Sequence, residues 1–271
     1  MKDSALTSTG ALRNQYGQSE NLDIRIELHK RFTVGETDFG RWVRSQMNLV
    51  PGMKILEAGC GEGGLWRAQP GEIPPVELEL TDLSEGMLNT ARERLSNSPL
   101  KIRFQKADVC GLPFESGSFD MAVANHMLYH VPDRARAISE LRRVLKEDGT
   151  LICSTAGRDN MRELWALIGE CLETDPEELQ PRLSFERENG AGQLMACFSR
   201  VEWVECPAHL EVDRADMLAR YAGSMQSMIG RNLPEGWQNR LERMAQERID
   251  RDGSIWISKS AGLFRCRKKS F

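Results

Sequence analysis

Between residues 54 and 156, short apolar runs alternate with stretches that are apolar on one side only. The runs predict strands over Lys54–Ala58, Val76–Thr81, Ile102–Ala107, Phe119–Asn125 and Thr150–Thr155. After the second run, Ser84 can cap a helix whose apolar face is Met87, Leu88, Ala91 and Leu95. Pro132 and Asp133 open another, with Ile138, Leu141 and Leu145 on one face and Gly149 to end it. Strands alternating with helices predict an α/β fold, a mostly parallel sheet covered by helices on both faces.

The flanks are less regular. Leu22, Ile26, Phe32, Phe39, Trp42, Val43 and Met47 have helical spacing, and "PGM" at 51–53 breaks the chain before the first strand. Residues 1–20 are polar and expected to be mobile. Beyond the fifth strand, Met161–Leu172 reads as a helix. Residues 174–196 are polar, contain proline and show weak periodicity, as in a cap or lid. Val201–Val212 reads as a strand, Arg214–Ile229 and Trp237–Ile249 as helices, and Ser254–Arg267 as a final strand with Gly262 at a bend or bulge. The expected organisation is an N-terminal helical lid segment (1–50), a ligand-binding core (51–157), a cap insertion (158–200) and a C-terminal part of the core sheet (201–271).

Length and composition narrow this picture only slightly. The 271 residues, 40% apolar and 28% charged, suit one large domain or a domain with a cap. A net charge of −4 argues against a general nucleic-acid binder. No apolar run approaches the ~20 residues needed to cross a bilayer, and "MKDSALTSTG" lacks the apolar stretch of a secretory signal. The seven cysteines are scattered, with no C-x-x-C pair, as expected for free thiols in a reducing cytoplasm.

The most specific chemistry is in "ILEAGCGEGG", residues 55–64. Gly59, Gly61 and Gly64 satisfy the dinucleotide fingerprint G-x-G-x-x-G. Glu57, Gly59, Gly61 and Gly63 satisfy the acidic-x-G-x-G-x-G loop of S-adenosylmethionine (SAM) enzymes. In such sheets ligands sit beyond the carboxyl ends of the strands. The residues there are Asp82, Asp108 and "NHMLYH", Asn125 to His130. Asp82 can accept ribose hydroxyls in either cofactor. Glu57 discriminates, because a lone carboxylate at that point needs a cation or donors. SAM supplies an ammonium group, whereas a pyrophosphate would repel it. Glu57 bracing the loop through backbone N–H groups is the other reading, and Asp108 as a simple turn former is the other reading there.

His126 and His130 are the candidate bases, with Tyr129 as a polar partner. A histidine that only packs at the strand end is the alternative. Their spacing lacks the Glu of H-E-x-x-H and a third ligand, so no metal is expected. Arg25, His29 and Phe32 can share one helical face, either toward a ligand or with Phe32 in the core. In "DMLARYAGSMQSMIG", Met217, Tyr221, Met225 and Met228 have the spacing of a core face or of an adaptable pocket. "RCRKK" at 265–269 is the basic cluster that an RNA contact would use, or a solvated edge strand.

The segments "ILEAGCGEGGLW", "LTDLSEGML", "ADVCGLPFESGSFDMAVANHMLYHVPD" and "AISELRRVLKEDG" stand in an order that resembles class I SAM-dependent methyltransferases. The branch is that of the ubiquinone and menaquinone methyltransferases, and the likeness is strong over roughly 54–156. "KEDG" replaces the family's usual Pro-Gly turn. The resemblance implies a Rossmann-like seven-stranded sheet with a helical lid. It implies Glu57, Gly59, Cys60, Gly61 and Gly63 around the methionine end of SAM, Asp82 and Leu83 at the ribose, and Asp108 and Val109 at the adenine. Asn125 would stand beside the methionine moiety. Arg25, His29, Tyr221 and Met225 are the candidate acceptor contacts. The expected activity is methyl transfer from SAM to an O, N or C nucleophile of a small molecule, leaving S-adenosylhomocysteine (SAH). An RNA or protein methyltransferase, or a non-catalytic SAM-binding protein, is the alternative. The expected state is a monomer or homodimer, with no nucleic-acid or membrane partner.

Overall fold

A computed structural model describes residues 19–69, 71–229 and 233–268. The polar N-terminal tract expected to be mobile lies outside the described residues up to 18. The chain forms two compact units. One comprises Asp38–Ala156, Phe185–Glu205 and Ala261 onward; the other comprises the chain through Thr37, Gly157–Ser184 and Cys206–Ser260.

In the first unit, strands β2 (Lys54–Ala58), β3 (Glu77–Asp82), β4 (Lys101–Lys106), β5 (Phe119–Asn125), β6 (Leu145–Ala156), β7 (Phe198–Glu205) and β10 (Ala261–Lys268) form one sheet. Their order is β4-β3-β2-β5-β6-β10-β7. The first five are parallel, and β10 runs antiparallel to both β6 and β7. Register explains why the sheet is covered on both sides. Leu56 pairs Ala122, which pairs Leu151, so these residues project to one face with Ala58, Ala124 and Cys153. That face packs with Ala137, Ile138 and Leu141 of helix α4 (Arg134–Val144), which Asp133 caps. Met121 and Val123 point the other way and are equally buried, the condition for near-continuous apolar strands. The chain runs outward from β2 through β3 and β4, then returns to β5 on the other side of β2. The switch point therefore lies at β2, the strand that ends in the glycine loop.

Helices α2 (Phe39–Ser45), α3 (Glu85–Arg94, capped by Ser84) and α7 (Arg187–Met195) belong to the same unit. Two of the expected boundaries move as a result. The unit begins at Asp38 rather than after residue 50, because Arg44 of α2 donates to the Leu65 carbonyl and Trp42 and Val43 are buried. The expected insertion 158–200 divides at Ser184/Phe185. Phe185 is fully buried against Phe264 with ring centroids 5.8 Å apart, and its carbonyl accepts the Thr155 hydroxyl at 2.8 Å.

The second unit holds helices α1 (Ser19–Phe32), α5 (Arg162–Leu172), α6 (Pro176–Leu179), α8 (Ala215–Ser224), α9 (Gln226–Ile229) and α10 (Trp237–Asp252). It also has a three-stranded antiparallel sheet in the order β1-β8-β9, formed by β1 (Thr33–Gly35), β8 (Ala208–Val212) and β9 (Ile255–Ser258). Its core includes Leu28, Phe32, Trp165, Leu210, Leu218, Tyr221, Leu241 and Ile257.

Several local expectations are corrected. The run 201–212 is two strands in different sheets, divided at Cys206 and Pro207, where proline interrupts ladder donation. The run 254–267 is likewise two strands, divided at Lys259 and Ser260, so residues 206–260 leave the sheet that 201–271 was expected to complete. Gly149 does not end α4. The helix stops at Val144, and the partner of β5 jumps from Leu145 opposite Phe119 to Thr150 opposite Met121, so "KEDG" forms an irregularity within β6. Gly262 keeps register with Glu205 rather than making a bulge. A Cβ there would stand 2.4 Å from the Val204 carbonyl oxygen and 2.6 Å from the Trp203 ring, so the glycine serves close strand approach. Strand β10 lies inside the sheet, not at its edge.

Candidate active site

Glu57 occupies the last pleat but one of β2. Its row across the sheet is Leu80, Glu57, Val123 and Ile152, three apolar residues and one carboxylate. Glu57 is 1% exposed, and its Oε2 accepts the Trp66 indole N–H at 2.7 Å. Burial raises this carboxyl to about 8; the Trp66 hydrogen bond pulls the other way, and the neighbouring Asp82 adds to the rise. The brace on Glu57 is thus an indole side chain. The expected alternative had backbone N–H groups in that role.

The glycines differ from one another. Gly59, Gly61 and Gly63 all have positive φ, of 70°, 54° and 72°, which side chains tolerate poorly. A Cβ at Gly59 would meet the Met127 side chain at 3.0 Å, and one at Gly63 would meet Leu95 Cδ1 at 2.8 Å. At Gly61 nothing lies within 4 Å. Gly63 is therefore a packing glycine over α3, whereas Gly61 presents bare backbone to open space. Cys60 is buried behind the loop, and burial pushes its thiol well above the ordinary range.

Asp82, at the end of β3, fastens the loop from outside. Its Oδ2 accepts Gly61 N–H at 2.9 Å and its Oδ1 accepts Ser84 N–H at 2.8 Å. Each oxygen keeps a second lone pair for a ligand. Leu83 beside it is 66% exposed. At the end of β4, Asp108 is exposed and accepts Cys110 N–H at 2.8 Å, turning the chain so that Val109 is buried.

At the end of β5, Asn125 Oδ1 accepts the Ser154 hydroxyl at 2.5 Å, and Ser154 Oγ accepts His126 N–H at 3.0 Å. That clamp holds His126 at φ 50°, uncommon for a residue with a side chain. The His126 ring lies 5.0 Å from Phe39 and 6.2 Å from Tyr129, and Tyr129 lies 4.4 Å from His130, centroid to centroid. Burial lowers His130 to about 4.

All the loop and strand-end candidates thus stand at the carboxyl ends of adjacent parallel strands in one unit. Arg25, His29, Tyr221 and Met225 are in the other, where they cluster with one another. Arg25 Nε donates to Ser224 Oγ at 3.1 Å, and its Nη2 donates to the Ser224 carbonyl. Tyr221 Oη is 3.4 Å from His29 Nε2, with the rings edge to face. Burial raises Tyr221 to about 12. Phe32, Met217, Tyr221 and Met225 are all buried in this unit's core.

Three residues of the site escaped the sequence reading. Trp66 lies in "ILEAGCGEGGLW", nine positions after Glu57, yet no periodicity marks it. Ser154 is a buried polar residue in an apolar strand, which is a usable signal. Phe39 precedes its His126 partner by a separation no local pattern reveals.

The basic cluster is committed internally. Arg265 donates to the Gln46 carbonyl at 2.9 Å, Arg267 to the Asp148 carbonyl at 3.4 Å, and Lys268 to the Leu145 carbonyl at 2.8 Å. Lys269 lies outside the described residues.

Between Ala58 and Glu77 the described residues contain one 3-10 turn, Gly64–Trp66, and no α-helix. A dinucleotide loop opens a helix whose N-terminus receives the pyrophosphate; this loop does not. The strand order is that of a Rossmann-like fold. Residues 56–153 match the family model described as "Methyltransferase domain". Over that segment the chain is similar to methyltransferase domains.

The relatives agree at the level of the domain. The chain is 34% identical over 146 residues to a demethylmenaquinone methyltransferase of Symbiobacterium thermophilum, covering 52% of this chain and 56% of that protein. It is 35% identical over 165 residues to a malonyl-[acyl-carrier protein] O-methyltransferase of a Paenibacillus species, covering 59% of each. The matches thus span little more than half the length of these relatives. Among solved structures, the fold is similar to the YcgJ protein of Bacillus subtilis, with a TM-score of 0.54, 18% identity, and 86% of this chain and 98% of that one covered. It is also similar to phosphoethanolamine N-methyltransferase 2 of Haemonchus contortus in complex with SAM, with a TM-score of 0.57, 15% identity, and 99% and 61% covered.

Proposed function

We propose that the protein transfers a methyl group from SAM to an O, N or C nucleophile of a small molecule. The observation that carries this reading is the buried Glu57 carboxylate beside the open Gly61 backbone. The pair suits a ligand with a cation at one end, against which the carboxyl would ionise. The residues fit the cofactor on three counts. Glu57 has an oxygen to offer an ammonium, Gly61 leaves space that a side chain would fill, and Asp82 has lone pairs for ribose hydroxyls. Leu83, Asp108 and Val109 form the adenine side of the same reading, and Asn125, held by Ser154, borders the methionine side. Cys60 and Gly63 support the loop from behind.

SAM supplies an electrophilic methyl on a positively charged sulfur. The chain's own work is to position the acceptor, exclude water and accept a proton where the nucleophile carries one. Positioning can supply several kcal/mol, with ~7–11 as the ceiling. His130, neutral at pH 7, is the group to take a proton, Tyr129 its polar neighbour, and His126 with Phe39 a wall. Arg25, His29, Tyr221 and Met225, the acceptor contacts expected from the sequence, belong to the other unit and are given no part in the proposed methyl-transfer site. The relatives' printed names, which include quinone-pathway and acyl-carrier methyltransferases, support a small-molecule or carrier-bound acceptor. With Arg265, Arg267 and Lys268 committed to internal carbonyls, no observation favours an RNA substrate. A cytoplasmic monomer or homodimer belongs to the same reading; the seven free thiols suit a reducing compartment. Among the described residues no helix is long and apolar enough to cross a membrane.

Calorimetric titration with SAH and, separately, NADH tests the reading. Micromolar binding of SAH alone is expected. Binding of NADH alone would overturn it.

A further inference from the structure

We propose that Trp66 is a positioning residue of the cofactor site: its indole N–H takes one oxygen of Glu57 and holds the other toward the cofactor's ammonium. The inference rests on the SAM reading above and goes beyond it to a residue outside the glycine motif.

Three observations carry it. First, the partners are enclosed together. Trp66 and Glu57 are each 1% exposed, and the bond between them is 2.7 Å. Among the described residues the indole is the side-chain donor this carboxylate has.

Second, the turn that presents Trp66 is fastened at each end. Trp66 N–H donates to the Gly63 carbonyl at 3.1 Å. Gly63 sits so tightly on α3 that a Cβ would strike Leu95. The buried Arg44 guanidinium donates to the Leu65 carbonyl. The indole therefore reaches Glu57 from a fixed direction.

Third, the donor's chemistry suits the task. An indole N–H donates only and does not titrate. A lysine or arginine in its place would hold Glu57 equally well but would cancel its charge. A neutral donor orients the carboxyl group and leaves it able to ionise against a cation. One N–H also occupies one of about four lone-pair positions, so the remaining oxygen stays available.

The test compares two ligands that share the adenosine end. SAH carries the amino-acid end; 5′-methylthioadenosine lacks it. In Trp66→Phe, SAH affinity measured by calorimetry should fall roughly 10–100-fold, as for loss of a hydrogen bond to a charged group. Methylthioadenosine affinity should stay within about twofold, because nothing it touches depends on Glu57. Equal weakening of both ligands would mean that Trp66 merely supports the loop, and unchanged SAH affinity would mean that it positions nothing; either overturns the proposal. The wild-type chain gives a second readout that needs no variant to fold. The Trp66 indole ¹⁵N–H resonance should move on addition of SAH and not on addition of methylthioadenosine; a signal indifferent to SAH overturns the proposal. Wild-type protein that binds no SAH would instead overturn the cofactor reading itself, and this inference with it.

Discussion

Asp82 accepts the backbone N–H of Gly61 at 2.9 Å across 21 residues of chain. The bond joins the end of β3 to a positive-φ glycine of the loop that faces open space. The carboxylate expected from the sequence to accept ribose hydroxyls is a latch for the loop. Asp82→Asn keeps the size but puts a donor where an acceptor is needed on one side. SAH affinity should fall by about tenfold or more, the worth of a charge-assisted hydrogen bond. Thermal stability should fall less, because the group is half-buried at a strand end and Asn still accepts one of the two N–H groups. Calorimetry and a melting curve on the same variant separate the two. A large stability loss with intact SAH affinity would assign Asp82 to the fold alone.

The loop glycines allow a paired experiment. Gly61→Val meets only the strain of φ 54°, since nothing lies within 4 Å of a Cβ there. It should fold, with a loss of about 1–3 kcal/mol, and should abolish SAH binding by filling the contact surface. Gly63→Ala adds a clash with Leu95 to similar strain, and should destabilise by more than Gly61→Ala does. SAH affinity should suffer less in the folded fraction of Gly63→Ala. Denaturant unfolding together with SAH titration of the alanine pair checks the ranking; a reversed ranking removes the distinction between the two glycines.

The sheet was legible because buried parallel strands leave near-continuous apolar runs, and Phe119–Asn125 matches its prediction residue for residue. What escaped notice was where extended chain passes from one sheet to the other. Val201–Val212 and Ser254–Arg267 each read as one strand, since only Cys206–Pro207 and Lys259–Ser260 separate the two strands in each run. Nothing in an alternating pattern says that two neighbouring segments pair with different partners. The helix after Glu186 was hidden for another reason. "RENGAGQLM" has little apolar periodicity, and its place is set by Gly190, where a Cβ would come within 2.6 Å of the Phe264 ring.

The candidate site divides in the same way. Strand ends are predictable once strands are, so the positions of Glu57, Asp82, Asp108 and Asn125 at or near them were legible in the sequence. Ser154 and Trp66 act through a partner's orientation, and their partners are defined only by the sheet register and the 3-10 turn.

The pH dependence of Glu57 follows from its burial. Its carboxyl is raised from 4.5 to about 8 in the folded chain. Between those values the folded state holds a proton that the unfolded state has released, so stability falls as pH rises from about 4.5 to about 8. Glu57→Gln abolishes that proton linkage. The difference in unfolding free energy between wild type and Glu57→Gln should shift in favour of the variant by on the order of a few kcal/mol from pH 5 to pH 8.5. Denaturant unfolding at the two values measures it. Binding of a cation beside Glu57 would favour the ionised form, so SAH titration at pH 7 should release protons, seen as a dependence of the heat on buffer ionisation. Parallel stability curves for the two proteins would mean that Glu57 is ionised throughout.

His130 is shifted in the opposite sense. Burial lowers it from 6.5 to about 4, so between those values the unfolded chain is protonated and the folded chain is not. Its contribution is complete above about 6.5 and is lost as pH falls toward 4. For catalysis the same shift keeps the imidazole neutral and ready to accept a proton across the physiological range, though as a weaker base than an exposed histidine. Were His130 the base, turnover in His130→Ala would fall by roughly 10²–10⁴-fold while SAH affinity held. The acid limb of the wild-type rate profile would then fall near pH 4 rather than near 6.5. Normal turnover in the variant would leave methyl transfer to positioning alone, with His130 a packing residue beside Tyr129.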